Sequence, residues 1–386
     1  MFAGAVVCLA LMSRANKPVV EFEDWAVLST FLPPGWDEQA RRLGAIRRAR
    51  YIKDPATVLR ILLLHLACGC SLAETAARAS ASGLAQISAV GVFKRLRAAE
   101  PWLLWLAQQM RGAADLPMKV LGRRLLAVDA TAVSEPGATG ADWKVHYAVN
   151  VADLQCDFFE LTDIQHGGET FRRVPVVGGG IMMGDRVYAT PPGVAHVVDA
   201  GGDVLVRLNR GTLPLFDRYG RRMALLPLLR LLKGRSPREW AARVQDPQGG
   251  WIAGRLIALR QSREAANWQL KRLQREARHK HTPLSKDALE FAHYFMIWTT
   301  LKKSDSETRL ILELYRLRWQ IELVFKRMKS ILGLGHLPKA DPLSAKAWLE
   351  GKLFVGLLIE HMVDAASSFS PWGYSLAATP EPLARS

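Results

Sequence analysis

Three carboxylates stand out by their surroundings. Asp129 and Asp185 each interrupt an apolar run, 124-RLLAVDATAV-133 and 181-IMMGDRVYA-189, and Glu322 lies in the charged stretch 315-YRLRWQIELVFKRMK-329. An unpaired carboxylate is costly to bury. The plain reading of one such acid is a strand-end residue that meets solvent or a local ion pair. Three that meet at one point repel each other, and divalent cations relieve that repulsion. Hard cations such as Mg²⁺ take oxygen ligands and keep several waters. Two of them about 4 Å apart activate a water or a 3′-hydroxyl and stabilise the leaving oxygen in phosphodiester displacement.

The stretch around Glu322 reads as one helix. At 100° per residue, Arg318, Glu322 and Lys329 fall about 60°, 20° and 40° to one side of Tyr315, within a single narrow sector. Leu314, Leu317, Ile321, Val324, Phe325, Met328 and Leu332 form the neighbouring apolar stripe by which this helix packs. The four polar residues therefore border the core and can face a cleft. The competing reading is a solvated face on which Arg318 and Glu322 make an ordinary i, i+4 ion pair worth a few tenths of a kcal/mol.

The elements that must position these residues follow from periodicity. Residues 20–118 read as helical, with a capping box at Ser71 and Glu74 and a helix-turn-helix-like pair over 71–100 that carries Lys94, Arg95 and Arg97. From residue 123 strands take over: 124–133, the alternating 143–151, 156–163, 181–189 and 203–209, with helices on either side of the fourth. Three strands, then helix, strand, helix, strand, is the order of an RNase H-like α/β core with a mixed five-stranded sheet. Between 211 and 300 a β element around Gly249-Gly250, the basic helix 262–281 and the strand 294–301 read as an inserted module. Helices then run to about 365, and a proline-punctuated tail follows.

A net charge of +16, from 52 Lys+Arg against 36 Asp+Glu, favours a polyanionic partner such as nucleic acid. Cys8, Cys68, Cys70 and Cys156 lack zinc-ligand spacing and read as reduced thiols of a cytoplasmic protein. The apolar opening MFAGAVVCLALM is too short to span a bilayer and lacks a basic leader, so translation starts at Met1 or at Met12. The run 353–363, interrupted by Glu360, reads as a buried helix.

Tyr315, Arg318, Glu322 and Lys329, at spacings of three, four and seven, reproduce the YREK signature. With Asp129-Ala130-Thr131 and Gly184-Asp185-Arg186 upstream, the chain resembles DDE transposases of the insertion-sequence-four family, from the helical N-terminal region to about residue 365. It departs from many relatives in carrying Val187 and Tyr188, without a glycine, after the second acid. The resemblance implies a bacterial, nucleoid-associated enzyme that binds terminal inverted repeats as a homodimer, one active site for each end, with 345–363 as a candidate dimer surface. It implies cleavage and strand transfer on double-stranded DNA, end and target, through a hairpin. It implies that Asp129, Asp185 and Glu322 hold two Mg²⁺ ions, for which Mn²⁺ can substitute, and that Tyr315, Arg318, Lys329 and Lys326 grip the phosphates. A flipped base would stack on Tyr294 or Trp298, with Phe295 on the opposite strand face.

The implied organisation is a helical DNA-binding domain at 1–118, the core at 119–210, a β-rich insertion at 211–300, the rest of the core with C-terminal helices at 301–365, and a tail at 366–386. The gap of 137 residues between Asp185 and Glu322 is too long for an uninterrupted core and must hold the insertion. Two rival readings remain at this point: an inactive transposase-derived inhibitor or repressor, and an RNase H-like nuclease without strand transfer.

Overall fold

The computed structural model describes residues 23–46, 52, 54–112, 120–137, 142–304, 306–338 and 341–367. The opening segment with Cys8, part of the basic cluster 41–53 and the tail from 368 lie outside the described residues. The helices are α1 (Glu23–Ser29), α2 (Trp36–Arg42), α3 (Pro55–Leu66), α4 (Leu72–Ala81), α5 (Ala89–Ala98), α6 (Glu100–Gln109), α7 (Pro191–Asp199), α8 (Leu225–Arg230), α9 (Arg263–His279), α10 (Lys286–Phe291), α11 (Thr308–Arg316), α12 (Trp319–Ile331) and α13 (Pro342–Ser367). The strands are β1 (Leu125–Val133), β2 (Trp143–Asn150), β3 (Cys156–Asp163), β4 (Ile181–Gly184), β5 (Asp203–Arg207), β6 (Arg238–Gln245), β7 (Trp251–Arg260) and β8 (Tyr294–Thr299). The chain divides into two compact units, one made of 116–131 with 145–324, the other of 1–115, 132–144 and 325–386. Their bounds cut across the five sequence segments, because helices far apart in the chain pack together.

The first unit is built on an eight-stranded sheet of order β3-β2-β1-β4-β5-β8-β7-β6. The five strands read as a core lie side by side in it, with β1, β4 and β5 parallel. The expected five-stranded sheet is thus enlarged: β8 pairs antiparallel with β5, and β7 and β6 follow. An unpaired β5 edge would leave a row of backbone donors and acceptors unsatisfied, and the strands of 211–300 supply their partners. The helical stretch expected between β3 and β4 is a single 3₁₀ turn, Phe171–Arg173. Thr190 caps α7, whose Pro191 and Pro192 occupy positions with no helical N–H to lose.

Side chains alternate faces along each strand. Leu126, Val128, Met182, Val204, Val206, Leu256, Ala258, Met296 and Trp298 belong to one buried cluster with Phe171, Tyr188, Val194 and Val197. The other face of β1, β4 and β5 carries the odd-numbered residues, and these lead to the acids.

In the second unit α13 packs on α6, α5 and α3. Gly351 makes that approach possible, since a Cβ there would sit 2.5 Å from Leu66. Residues 347–350 and 351–358 of α13 are buried inside this unit, so the segment weighed as a dimer surface is largely internal core. Trp102 is fully buried, stacks on Trp36 and donates its indole N–H to the Trp36 carbonyl at 2.8 Å. The Ser71 cap holds as expected, accepting from the Glu74 N–H at 3.1 Å. Of the basic residues on α5, Lys94 is exposed, Arg95 donates to the Ala45 carbonyl and Arg97 lies 3.9 Å from Asp341.

The α6–α13 contact contains a buried charge cluster. Lys346 lies 2.5 Å from Glu100 and 3.6 Å from Glu350, which is 1% exposed. Burial first, and the Glu100 carboxylate second, push Glu350 up to about 8. The folded chain therefore holds a proton that the unfolded chain releases at ordinary carboxylate pH, and stability falls as pH rises from about 4.5 to about 8. Glu350→Gln lacks that loss. Thermal melts are expected to show the variant gaining on the wild type across this window, by a few kcal/mol at its upper end at about 1.4 kcal/mol per pKa unit.

Candidate active site

Register brings two of the acids together. Leu125 pairs with Ile181 and Ala127 with Met183 in the parallel β1–β4 ladder. Two residues further on the same face come Asp129 and Asp185. Asp185 is not inside a strand, as the apolar run 181–189 suggested: β4 ends at Gly184, and the Asp185 carboxylate turns back to accept from the Val187 N–H at 2.8 Å. Gly184 cannot be larger there, because a Cβ would meet Tyr188 at 2.7 Å and Phe171 at 2.9 Å. The second acid thus stands at the carboxyl end of a parallel strand, where open α/β sheets carry their ligands. Ile181 pairs with Asp203 and Gly184 with Val206, so the next position along β5, Arg207, falls beside Asp185.

The stretch 315–329 is not one helix. α11 ends at Arg316 and α12 begins at Trp319. At the junction the bonds shorten to i→i+3: Arg318 N–H to the Tyr315 carbonyl, Gln320 to Leu317 and Ile321 to Arg318. Tyr315 is pinned on the first helix, its hydroxyl donating to the Gly184 carbonyl at 3.3 Å and its ring 5.7 Å from Phe295. Arg318, at the break, reaches both ways. One guanidinium nitrogen lies 3.5 Å from the Asp129 carboxylate, and the other donates to Glu322. The ion pair read from the i, i+4 spacing is present, and it also ties Glu322 to Asp129. Lys326 and Lys329, four and seven residues after Glu322 on α12, are exposed.

The electrostatics are those of crowded carboxylates. Burial first, and then the Asp185 charge, raise Asp129 to about 7, while its own backbone bond from Ala130 and Arg318 oppose the rise. Glu169, in the Gly167-Gly168-Glu169 loop, adds negative charge to the same neighbourhood, and sequence reasoning passed it over. The Tyr188 hydroxyl is buried without a hydrogen-bond partner, and burial and these acids push it up. Among the described residues no three His, Cys, Asp or Glu side chains are drawn close enough to hold a metal. The guanidinium of Arg318 is the cation between Asp129 and Glu322. Asp129, Asp185 and Glu322 offer oxygen donors alone, the type that a hard divalent ion takes.

Beside the acids opens a cavity of about 420 Å³ lined by Arg186, Arg207, Arg210 and Arg222, with Gln269, Phe291 and Tyr294 among its other walls and no carboxylate. The Arg186 Nε is buried without a partner. Burial, then the like charge of Arg186, pull Arg207 down to about 10. The Arg210 guanidinium carbon lies over the Phe291 ring, 3.4 Å from its centre. The sequence signal for this cavity was weak: one arginine ending a strand, another just past it, and a third beside Asp185.

The aromatic residues of β8 divide by face. Tyr294 edges the cavity, and Phe295 on the opposite face meets Tyr315 and lies under Arg207 at 5.2 Å. Trp298 is fully buried, its indole N–H directed at the Ala242 carbonyl at 3.4 Å, and offers no ring face to a base. His146, 2% exposed, is hydrogen-bonded to the Thr162 hydroxyl, a histidine at the edge of the core.

A family model described as "Transposase DDE domain" matches residues 121–358. The InsL protein of insertion sequence element IS186A from Escherichia coli (strain K12) is 32% identical over 357 residues, covering 90% of this chain and 96% of that protein. The transposase for insertion sequence element IS421 from Escherichia coli is 32% identical over 358 residues, with the same coverage of both chains.

Proposed function

Because this chain belongs to the DDE transposase family, enzymes that act on DNA and whose fold is RNase H-like, we propose that it mobilises a bacterial insertion sequence by cutting at the terminal inverted repeats and joining the ends to target DNA. The observation that carries this reading is the tie from Glu322 through Arg318 to Asp129, with Asp185 in register beside it. The DDE domain implies a divalent metal cofactor. Asp129, Asp185 and Glu322 would hold it, as two Mg²⁺ or Mn²⁺ ions. When bound, the ions supply Lewis acidity to the water or 3′-hydroxyl and to the leaving oxygen.

The remaining steps belong to the protein. Arg318 pairs Asp129 with Glu322, and with a divalent ion neutralising those acids its guanidinium would be available to bind a backbone phosphate in the bidentate manner of such groups. Tyr315, fixed to the β4 end, sets the position of Arg318, and Lys326 and Lys329 extend the phosphate grip along α12. The arginine cavity, with Tyr294 and Phe291 on its walls, receives an unpaired nucleotide at the processed end, as a hairpin route requires. The exposed basic residues of α9 add to the attraction for DNA. The helical region 1–118 binds the repeat sequence, 211–300 acts as the insertion, and two copies act together, one on each end. No helix among the described residues is long and apolar enough to cross a membrane. The enzyme works on DNA in the cytoplasm, at the nucleoid.

The test supplies the purified protein, a duplex with the element end and Mg²⁺. Cleavage at the end is expected, with none in EDTA. Glu322→Gln is expected to slow it at least a hundredfold, since the neutral amide keeps the shape and loses the charge. Equal cleavage by variant and wild type rules the assignment out.

A further inference from the structure

Residues 217–222, Asp-Arg-Tyr-Gly-Arg-Arg, form a tight turn between β5 and α8. Asp217 closes it: its N–H donates to the Arg221 carbonyl at 2.9 Å, and its carboxylate accepts from the N–H groups of Tyr219 at 2.8 Å and Arg221 at 2.9 Å. Gly220 supplies the required positive φ of 76°, and a Cβ there would lie 3.3 Å from Trp251. The base of the turn is zipped to β6 by paired backbone bonds between Phe216 and Arg243, at 2.7 and 2.8 Å, and Phe216 packs edge-on against Trp251. This is a rigid tip, yet its residues 218–222 are exposed.

Tyr219, 67% exposed, does not cover core. Its ring carries the guanidinium of Arg218 at 4.7 Å and that of Arg221 at 5.8 Å, and Arg218 also donates to the tyrosine hydroxyl. The carboxylate of Asp217 is committed to backbone N–H groups, so the tip presents three arginines against one acid. The third, Arg222, turns to the cavity described above and lines it. Long cationic side chains lose much rotamer entropy when they bind, and arginines already stacked on a ring lose less.

We propose that this turn is a clamp for the phosphate backbone of duplex DNA, in which Arg218 and Arg221 contact phosphates and Tyr219 is the positioning residue that holds them. The assignment rests on the DNA-processing reading above and adds to it a contact surface outside the acids and the YREK residues. Fixed, planar, paired donors suit phosphate oxygens. The charge of the whole chain and the adjoining arginine cavity favour a polyanion that continues past the tip.

The test is a fluorescence titration of a labelled duplex of about 40 base pairs, at a series of salt concentrations, without metal. Each phosphate contact contributes close to one unit to the slope of log K against log salt. Arg218→Ala with Arg221→Ala is expected to weaken binding about tenfold or more at low salt and to reduce the slope by about 2. Tyr219→Ala should weaken binding part-way, and Tyr219→Phe should restore it, because the ring is kept. All three positions are exposed, and matching thermal melts would show that the variants fold. A double variant with wild-type affinity and slope overturns the clamp and leaves the family reading standing. A wild type that binds no duplex overturns the clamp and the DNA-processing reading together.

Discussion

Asp129→Asn is expected to abolish end cleavage without unfolding the protein. The carboxylate sits on β1 beside Asp185, 19% exposed, and burial raises it to about 7. Its folded value lies above the ordinary carboxylate value, so the wild type loses stability as pH climbs from about 4 to about 7. Asparagine fills the same volume and carries no charge, and that loss disappears. At pH 8 the variant should melt no lower than the wild type, even without its 3.5 Å contact to Arg318. Cleavage in Mg²⁺ should behave oppositely. A carboxylate that anchors a catalytic ion lowers the barrier by several kcal/mol, so its loss should slow the reaction about a thousandfold at about 1.4 kcal/mol per decade. A variant that is as stable and as active as the wild type would remove Asp129 from the site.

Trp298→Ala is expected to act in the reverse sense, on the fold more than on the chemistry. The ring is fully buried in the cluster with Val206, Leu256 and Met296. Gly254 on β7 is empty to admit it, since a Cβ there would stand 2.5 Å from the ring. Truncation leaves a large cavity that β7 cannot fill, and denaturant titration should show a loss of about 3–5 kcal/mol. If a flipped base stacked on this residue, the variant would instead fold normally and lose only cleavage. Phe295→Ala separates the two cases from the other side of the strand, because Phe295 touches Tyr315 and lies under Arg207.

The strands β1, β2, β3 and β5 were readable because each is an apolar or alternating run whose period survives packing. The end of β4 was not. Val187, Tyr188 and Ala189 are as apolar as Met182 and Met183, and the chain turns at Asp185 because a side-chain bond to Val187 competes with the ladder. The break at residues 317–318 was equally hidden, since every residue there has ordinary helix propensity. Trp298 and Phe295 differ only in the face of one strand that each occupies, and no property of either residue says which face is core.

From the sequence alone came the three acids, the spacing of Tyr315, Arg318, Glu322 and Lys329, the α/β order and the basic charge, since these depend on residue identity and on short-range periodicity. Tertiary structure decided how they meet. Parallel register set Asp129 beside Asp185, the helix break let Arg318 reach both Glu322, four positions away along the chain, and Asp129, 189 positions away, and the added strands beyond β5 walled an arginine cavity. Such pairings follow from how sheet edges and helix ends are satisfied across long stretches of chain, and local pattern does not carry that information.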